Sequence, residues 1–238
     1  MRAVALLMLV PGLASAASFN CGRAVSPVEK LICASAELGR LDETLAAAYR
    51  KAVKGAADAA PLESDQRDWL KNGRGRCADS ACLEVAYRRR LSVLAGWNEV
   101  AEDRDIVGNY VFERPNFIFN PDTQKADPVK TGDCLSIRPG GKGEIEFALQ
   151  LVRANAHQCS LEGRAVPVEG GYRFLPEPQA HDEAEQKCRL LLKIKRHTIE
   201  LQDPEGHCRQ VFCGARAGID GTEFLRSRQS EKACSGGG

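Results

Sequence analysis

Apolar residues recur along this chain at two different periods, and the change falls near residue 100. Before it the spacing is helical. Ser26-Pro27-Val28-Glu29 has the form of a capping box with proline at the first helical position, which predicts a short helix ending near Cys33. Ser35 is placed to cap a second helix. Leu38, Leu41, Leu45, Ala48 and Ala52 share one face of it, and Gly55 stops it. A third helix follows Pro61, carries Leu62, Gln66, Trp69 and Leu70 on one side, and must end by Asn72-Gly73. Cys77 to Cys82 forms a tight link into a fourth, whose apolar face is Leu83, Tyr87, Leu91 and Leu94.

Beyond residue 100 the period is two. Leu135 and Ile137 point one way, Ile145, Phe147, Leu149 and Leu151 repeat at every second position, and Leu190, Leu192 and Ile194 do the same. Pro139-Gly140-Gly141-Lys142-Gly143 and Glu169-Gly170-Gly171 are turns between strands. Seven or eight strands are expected, near 106–112, 116–119, 133–138, 144–152, 158–167, 171–175, 188–195 and 197–202. The pattern predicts an α+β protein of two domains. Residues 17–100 form a small four-helix module, and residues 101–238 an antiparallel β barrel or sandwich.

The first sixteen residues belong to neither. Arg2, the apolar run from Ala3 to Val10, the break at Pro11-Gly12 and the small residues Ala14-Ser15-Ala16 make a secretory signal peptide, with a mature start at Ala17. The run falls short of the roughly 20 apolar residues that span a bilayer, so a periplasmic or secreted protein with no membrane-spanning segment is expected. Export decides what the cysteines mean. Cys21, Cys33, Cys77, Cys82, Cys134, Cys159, Cys188, Cys208, Cys213 and Cys234 are even in number, which in an oxidising compartment reads as a disulfide framework. Four short helices bury a small core, so such staples are needed. Four cysteines allow three pairings and six allow fifteen; the pairs favoured in the first half are Cys21–Cys33 and Cys77–Cys82. Zinc is the alternative, with His157 near Cys159 and His207 beside Cys208, but no recurrent metal spacing occurs and no cofactor is expected.

Lys and Arg number 33 against 32 Asp and Glu. That balance argues against a general nucleic-acid binder, which needs a basic excess to displace counterions. Chemistry is poorly represented too. There is no nucleophile elbow, no His-Glu-x-x-His and no phosphate-cradling glycine loop, so no catalytic residue is assigned. Glu144 and Glu146 share a strand face, but it is the face opposite the Ile145–Phe147 core, where a solvated surface is expected. His157, His181, His197 and His207 lie in or beside turns. Trp69, one turn from Gln66, reads as a core anchor. Arg88-Arg89-Arg90 point to different helix faces. The surface feature with most chemical character is Lys71-Asn72-Gly73-Arg74-Gly75-Arg76, a glycine-containing basic loop tethered by Cys77. Arg74 and Arg76 are its candidate partner contacts, because guanidinium groups pair with the two carboxylates of a glycosidase cleft.

Phe19-Asn20-Cys21, Pro27 to Cys33, Leu38 through Leu41-Asp42, Ala46 to Tyr49, Gln66-Arg67-Asp68-Trp69-Leu70, Cys77, Cys82-Leu83, Tyr87, Arg90 and Leu91 together resemble the LprI-type lysozyme inhibitor N-terminal domain over about residues 19–94. That resemblance implies a small, exported, helical, cysteine-bearing domain whose partner is a lysozyme or related muramidase, bound without catalysis. Two features differ from the family pattern. The inhibitor that gives the family its name is a lipoprotein, whereas this chain has no lipidation cysteine, and Asn72 to Arg76 interrupts the helix that usually continues after Trp-Leu. The C-terminal half is similar, in architecture alone, to MliC-type lysozyme inhibitor barrels. The alternative expectation is a cell-envelope module that binds peptidoglycan or a protein.

Overall fold

The computed structural model describes residues 17–102, 105–176, 183–230 and 234. The signal peptide, His181 and the terminal glycines lie outside the described residues. Compactness divides the chain into two units, one within Met1–Arg50 and Asp68–Ser92, the other within Lys51–Arg67 and Val93–Gly238. The change at residue 100 is a change of secondary structure; by compactness, Lys51–Arg67 group with the β-rich residues.

Each helix starts where a side chain satisfies its first amides. Helix α1, Pro27–Ala34, has the capping box in full: Ser26 Oγ accepts from Glu29 N, and the Glu29 carboxylate accepts from Ser26 N. These bonds hold the Glu29 carboxyl below its ordinary pKa. Helix α2, Ala36–Gly55, is capped by Ser35, and buries Leu38, Leu41, Leu45 and Ala52 as the periodicity requires. Helix α3, Ala59–Asp68, begins two residues ahead of Pro61, because Asp58 Oδ1 accepts from Ala60 N and proline is tolerated in a first turn. Helix α4, Ser80–Ala95, is capped by Asp79 and fully buries Leu83 and Tyr87.

The described β residues form one antiparallel sheet of nine strands: β1 Gly108–Asn120, β2 Lys125–Pro139, β3 Ile145–Val152, β4 Gln158–Val168, β5 Gly171–Leu175, β6 Leu191–Ile194, β7 Thr198–Gln202, β8 Glu223–Leu225 and β9 Gln229–Ser230. Their order is β8-β7-β6-β5-β4-β3-β2-β1-β9. Strands β8 and β9 are consecutive in the chain yet lie at opposite ends of that order, so the connection between them bridges the two ends of the sheet. The result is a nearly closed barrel; the sandwich alternative is not formed. Tyr110, Phe112, Leu135, Ile137, Ile145, Phe147, Leu149, Leu151, Leu192 and Ile194 fill the interior. At Gly163, φ is +157° and an added Cβ would lie 2.5 Å from the Phe174 ring, so only glycine admits that ring.

Several boundaries differ from expectation for physical reasons. The strands expected at 106–112 and 116–119 are one, β1. Pro115 interrupts the sequence pattern but sits where β1 pairs only with β2, so its missing N–H costs no ladder bond on the open side. The strand expected over 188–195 is reduced to β6, with Cys188 committed to a disulfide. Two short helices, α5 Glu183–Lys187 and α6 His207–Phe212, carry cysteines at or beside their ends. Among the six C-terminal cysteines the pairs are Cys134–Cys234, Cys159–Cys213 and Cys188–Cys208, each enclosing the next. In the helical unit the pairs are Cys21–Cys33 and Cys77–Cys82. Among the described residues no helix is long and apolar enough to cross a membrane.

Candidate functional site

The basic segment is built as a widened turn. After α3 the backbone passes through a π turn, Trp69–Gly73, and a 3-10 turn, Arg74–Arg76, before Cys77 is pinned to Cys82. Both glycines are required by close approach. A Cβ at Gly73 would stand 2.7 Å from Trp69 Cδ1, and one at Gly75 would stand 2.8 Å from the Leu70 carbonyl oxygen. Trp69 meets Tyr87 edge to face and lies under the buried Arg90 guanidinium. It is therefore an anchor, as expected, but one that is half-buried.

This turn treats its two arginines differently. Arg74 folds inward, its Nη1 3.8 Å from Asp42 Oδ1. Asp42 is buried and also accepts from Tyr87 OH at 2.6 Å and from Ser18 N and Oγ at 2.8 and 2.5 Å. Burial and the bond to Asp42 push the Tyr87 hydroxyl pKa far above its ordinary value. Arg76 faces solvent, with Nη2 3.4 Å from Asn72 Oδ1, and Lys71 is exposed beside it. Two cations are presented, and the third secures the turn to the start of the described chain.

The other candidates are separate. Glu146 is exposed on β3, flanked in register by Arg138 and Arg164, and Glu144 lies 3.7 Å from Arg164. His207 pairs with Glu205, and His197 stacks on the buried Trp97 indole. Gln66 is buried, Arg88 is bonded to Glu37 and Arg90 is buried, in keeping with different helix faces. The cysteine sulfurs weighed as zinc ligands are all in disulfides. Among the described residues no group of three His, Cys, Asp or Glu is placed to hold a metal ion.

The turn, its staple and the Asp42 anchor belong to a segment with known counterparts. Residues 21–101 match the family model Lysozyme inhibitor LprI. The LprI match covers about a third of the chain and contains α1 to α4, the basic turn and both helical-unit disulfides. No curated protein and no solved structure matches the chain. An LprI-like segment thus precedes a barrel for which these comparisons give no counterpart.

Beyond the basic turn, two buried ionic clusters went unread in the sequence. Asp133 is fully buried and accepts from Arg114 Nε, from Arg153 Nη1 at 2.6 Å and from Val152 N at 3.1 Å; Arg114 also holds Asp58. Lys195, equally enclosed, lies 2.7 Å from both Glu200 and Glu223, and Glu223 accepts from Ala57 N. Burial raises the Glu223 pKa. At Glu200 burial acts the same way, but its bonds from Lys195 and Gln202 outweigh it and hold the carboxyl below its ordinary value. These groups lock Lys51–Arg67 to β1 and β8 within one compact unit and are spent on folding.

Proposed function

We propose that this is an exported protein that binds a lysozyme or related muramidase and occludes its cleft, without bond-making of its own. The LprI match over residues 21–101 carries the reading. Five disulfides support an oxidising, extracytoplasmic compartment. Arg76 on its stapled turn is a candidate contact for cleft carboxylates, with Arg74 behind it tied to Asp42. The test is a lysis assay in which the purified mature protein, in molar excess, slows lysozyme acting on cell walls. Absence of any effect on every lysozyme class would remove the proposal.

A further inference from the structure

Asp42 is enclosed with no cation in hydrogen-bond contact among the described residues. Its side chain is 4% exposed, and the one cation within 4 Å, Arg74, stands with Nη1 3.8 Å away; Arg74 Nε is itself buried without a partner there. The bonds that Asp42 accepts come from neutral donors, Tyr87 OH, Ser18 N and Ser18 Oγ. Other enclosed charges are met directly, Asp133 by Arg153 at 2.6 Å and Lys195 by two carboxylates at 2.7 Å. A carboxylate taken out of water and served by neutral groups alone is left with an uncompensated desolvation cost.

The second oxygen of Asp42 lies against the expected start of the mature chain. Ser18 N donates to Oδ2 at 2.8 Å, and backbone nitrogens one residue apart lie within about 3.7 Å of each other, so the Ala17 nitrogen is within about 6.5 Å of Oδ2. In a chain that still carries its leader, that nitrogen is a neutral amide. Hydrolysis of the Ala16–Ala17 bond by a leader peptidase consumes one water. The oxygen stays on the Ala16 carbonyl carbon, which departs as a carboxylate, and both hydrogens go to the Ala17 nitrogen, which becomes an ammonium. That ammonium is free to turn about the Ala17 ψ angle, and an opposite charge a few ångströms away holds it in its charged form.

The charges around the cluster leave room for it. Asp42 comes from α2, Tyr87 from α4 and Arg74 from the 3-10 turn, while Glu29 at the start of α1 is also drawn to Arg74. Two carboxylates thus face one guanidinium. All of these residues belong to the same compact unit.

We infer that removal of the leader after Ala16 sets the Ala17 ammonium beside Asp42 and thereby latches the turn that carries Arg76, so that the turn is fully secured only in the processed chain. This rests on the exported part of the reading above and makes no use of the muramidase part. The ammonium is a positioning group, acting on Arg76 through Asp42 and Arg74.

Three forms with native disulfides are compared: the chain from Ala17, the same chain Nα-acetylated, and a chain that begins at Ala14 and keeps Ala14-Ser15-Ala16. In the first, the Ala17 methyl resonance followed by NMR is expected to titrate above the ordinary α-amino range of about 7.7–8.0, and Asp42→Asn to return it to that range. Hydrogen exchange at the Cys77 amide, which donates to the Arg74 carbonyl, is expected to be about 10-fold faster at pH 6 in the acetylated and Ala14 forms. An amine favoured as its cation contributes fully below its unfolded pKa and loses that contribution as pH rises through the folded value, so the three forms converge in base. An Ala17 amine that titrates within the ordinary range, or equal exchange in all three forms, overturns the inference whether or not Asp42→Asn folds. So does a first residue other than Ala17 when the protein recovered from its cells is sequenced from the N-terminus. If the titration and exchange results appear but no lysozyme class is inhibited, the latch stands and the muramidase reading falls.

Discussion

Replacing Asp133 with asparagine keeps the size of a fully buried side chain and removes its charge. The carboxylate serves two guanidinium groups and one backbone amide. Breaking a buried ion pair from one side costs about 3–5 kcal/mol, much of it from the charge left behind. Here the lower end applies. The Arg114 and Arg153 side chains are 16% and 22% exposed, Arg114 keeps Asp58, and Arg153 Nη2 keeps Thr222 Oγ1. A loss of about 3 kcal/mol, at about 2–4 °C per kcal/mol for a unit of this size, lowers the barrel-unit transition by about 6–12 °C. Differential scanning calorimetry of the mature protein, with disulfides intact, reads this directly. Arg153→Met combined with Asp133→Asn should cost less than the two single changes together, because each removes the same contact. A shift under about 2 °C for Asp133→Asn, or strict additivity in the double variant, would refute the reasoning.

Because the Glu200 carboxyl is held below its ordinary value of 4.5, its contribution is complete above that pH and lost as pH falls through the folded value. Glu200→Gln should therefore destabilise at pH 7 and converge on the unaltered protein in acid, as followed by urea titration at several pH values. Tyr87→Phe removes a bond to a buried carboxylate and should cost about 1.5–3 kcal/mol in the helical unit, measured by chemical denaturation. Removing Cys134–Cys234, whose 100-residue span is cut short by the Cys159–Cys213 bridge nested inside it, should cost about 4 kcal/mol, against about 2 kcal/mol for the five-residue Cys77–Cys82 loop; paired serine variants compared by melting test that order. Arg76→Ala should leave melting unchanged and weaken any inhibition, whereas Arg74→Ala should lower the melting temperature by exposing the Asp42 cluster; equal melting of the two would refute the inward placement of Arg74.

What could be read from the sequence was local. The Ser26–Glu29 box and the alternation from Ile145 to Leu151 each carry their structure within a few residues, and both appear where the pattern puts them. The β1–β2 ribbon is hidden because Pro115 and Pro128 interrupt the pattern, and only pairing partners reveal that they sit on open edges. Glu223-Phe224-Leu225 is too short to read as a strand. Asp133, Lys195 and Glu223 carry no local sign of burial, since a charge becomes an interior group only through partners distant in sequence. At the candidate site the reverse holds: Arg74 and Arg76 look equivalent in sequence, and one 3-10 turn sends them to opposite fates. Phe117-Ile118-Phe119 resembles core sequence and is left uncovered.

The nesting of the last three bridges dictates an order of events for a chain delivered from its N-terminus. Of these six, Cys134, Cys159 and Cys188 would enter an oxidising compartment first, and none is a native mate of another. From Cys208 onward each arriving thiol belongs with the latest one still waiting, a last-in, first-out rule. Oxidation before residue 208 emerges can close Cys21–Cys33 and Cys77–Cys82 correctly but makes only errors among Cys134, Cys159 and Cys188, so export as proposed would call for either a delay in oxidation of that half or a shuffling enzyme to undo them.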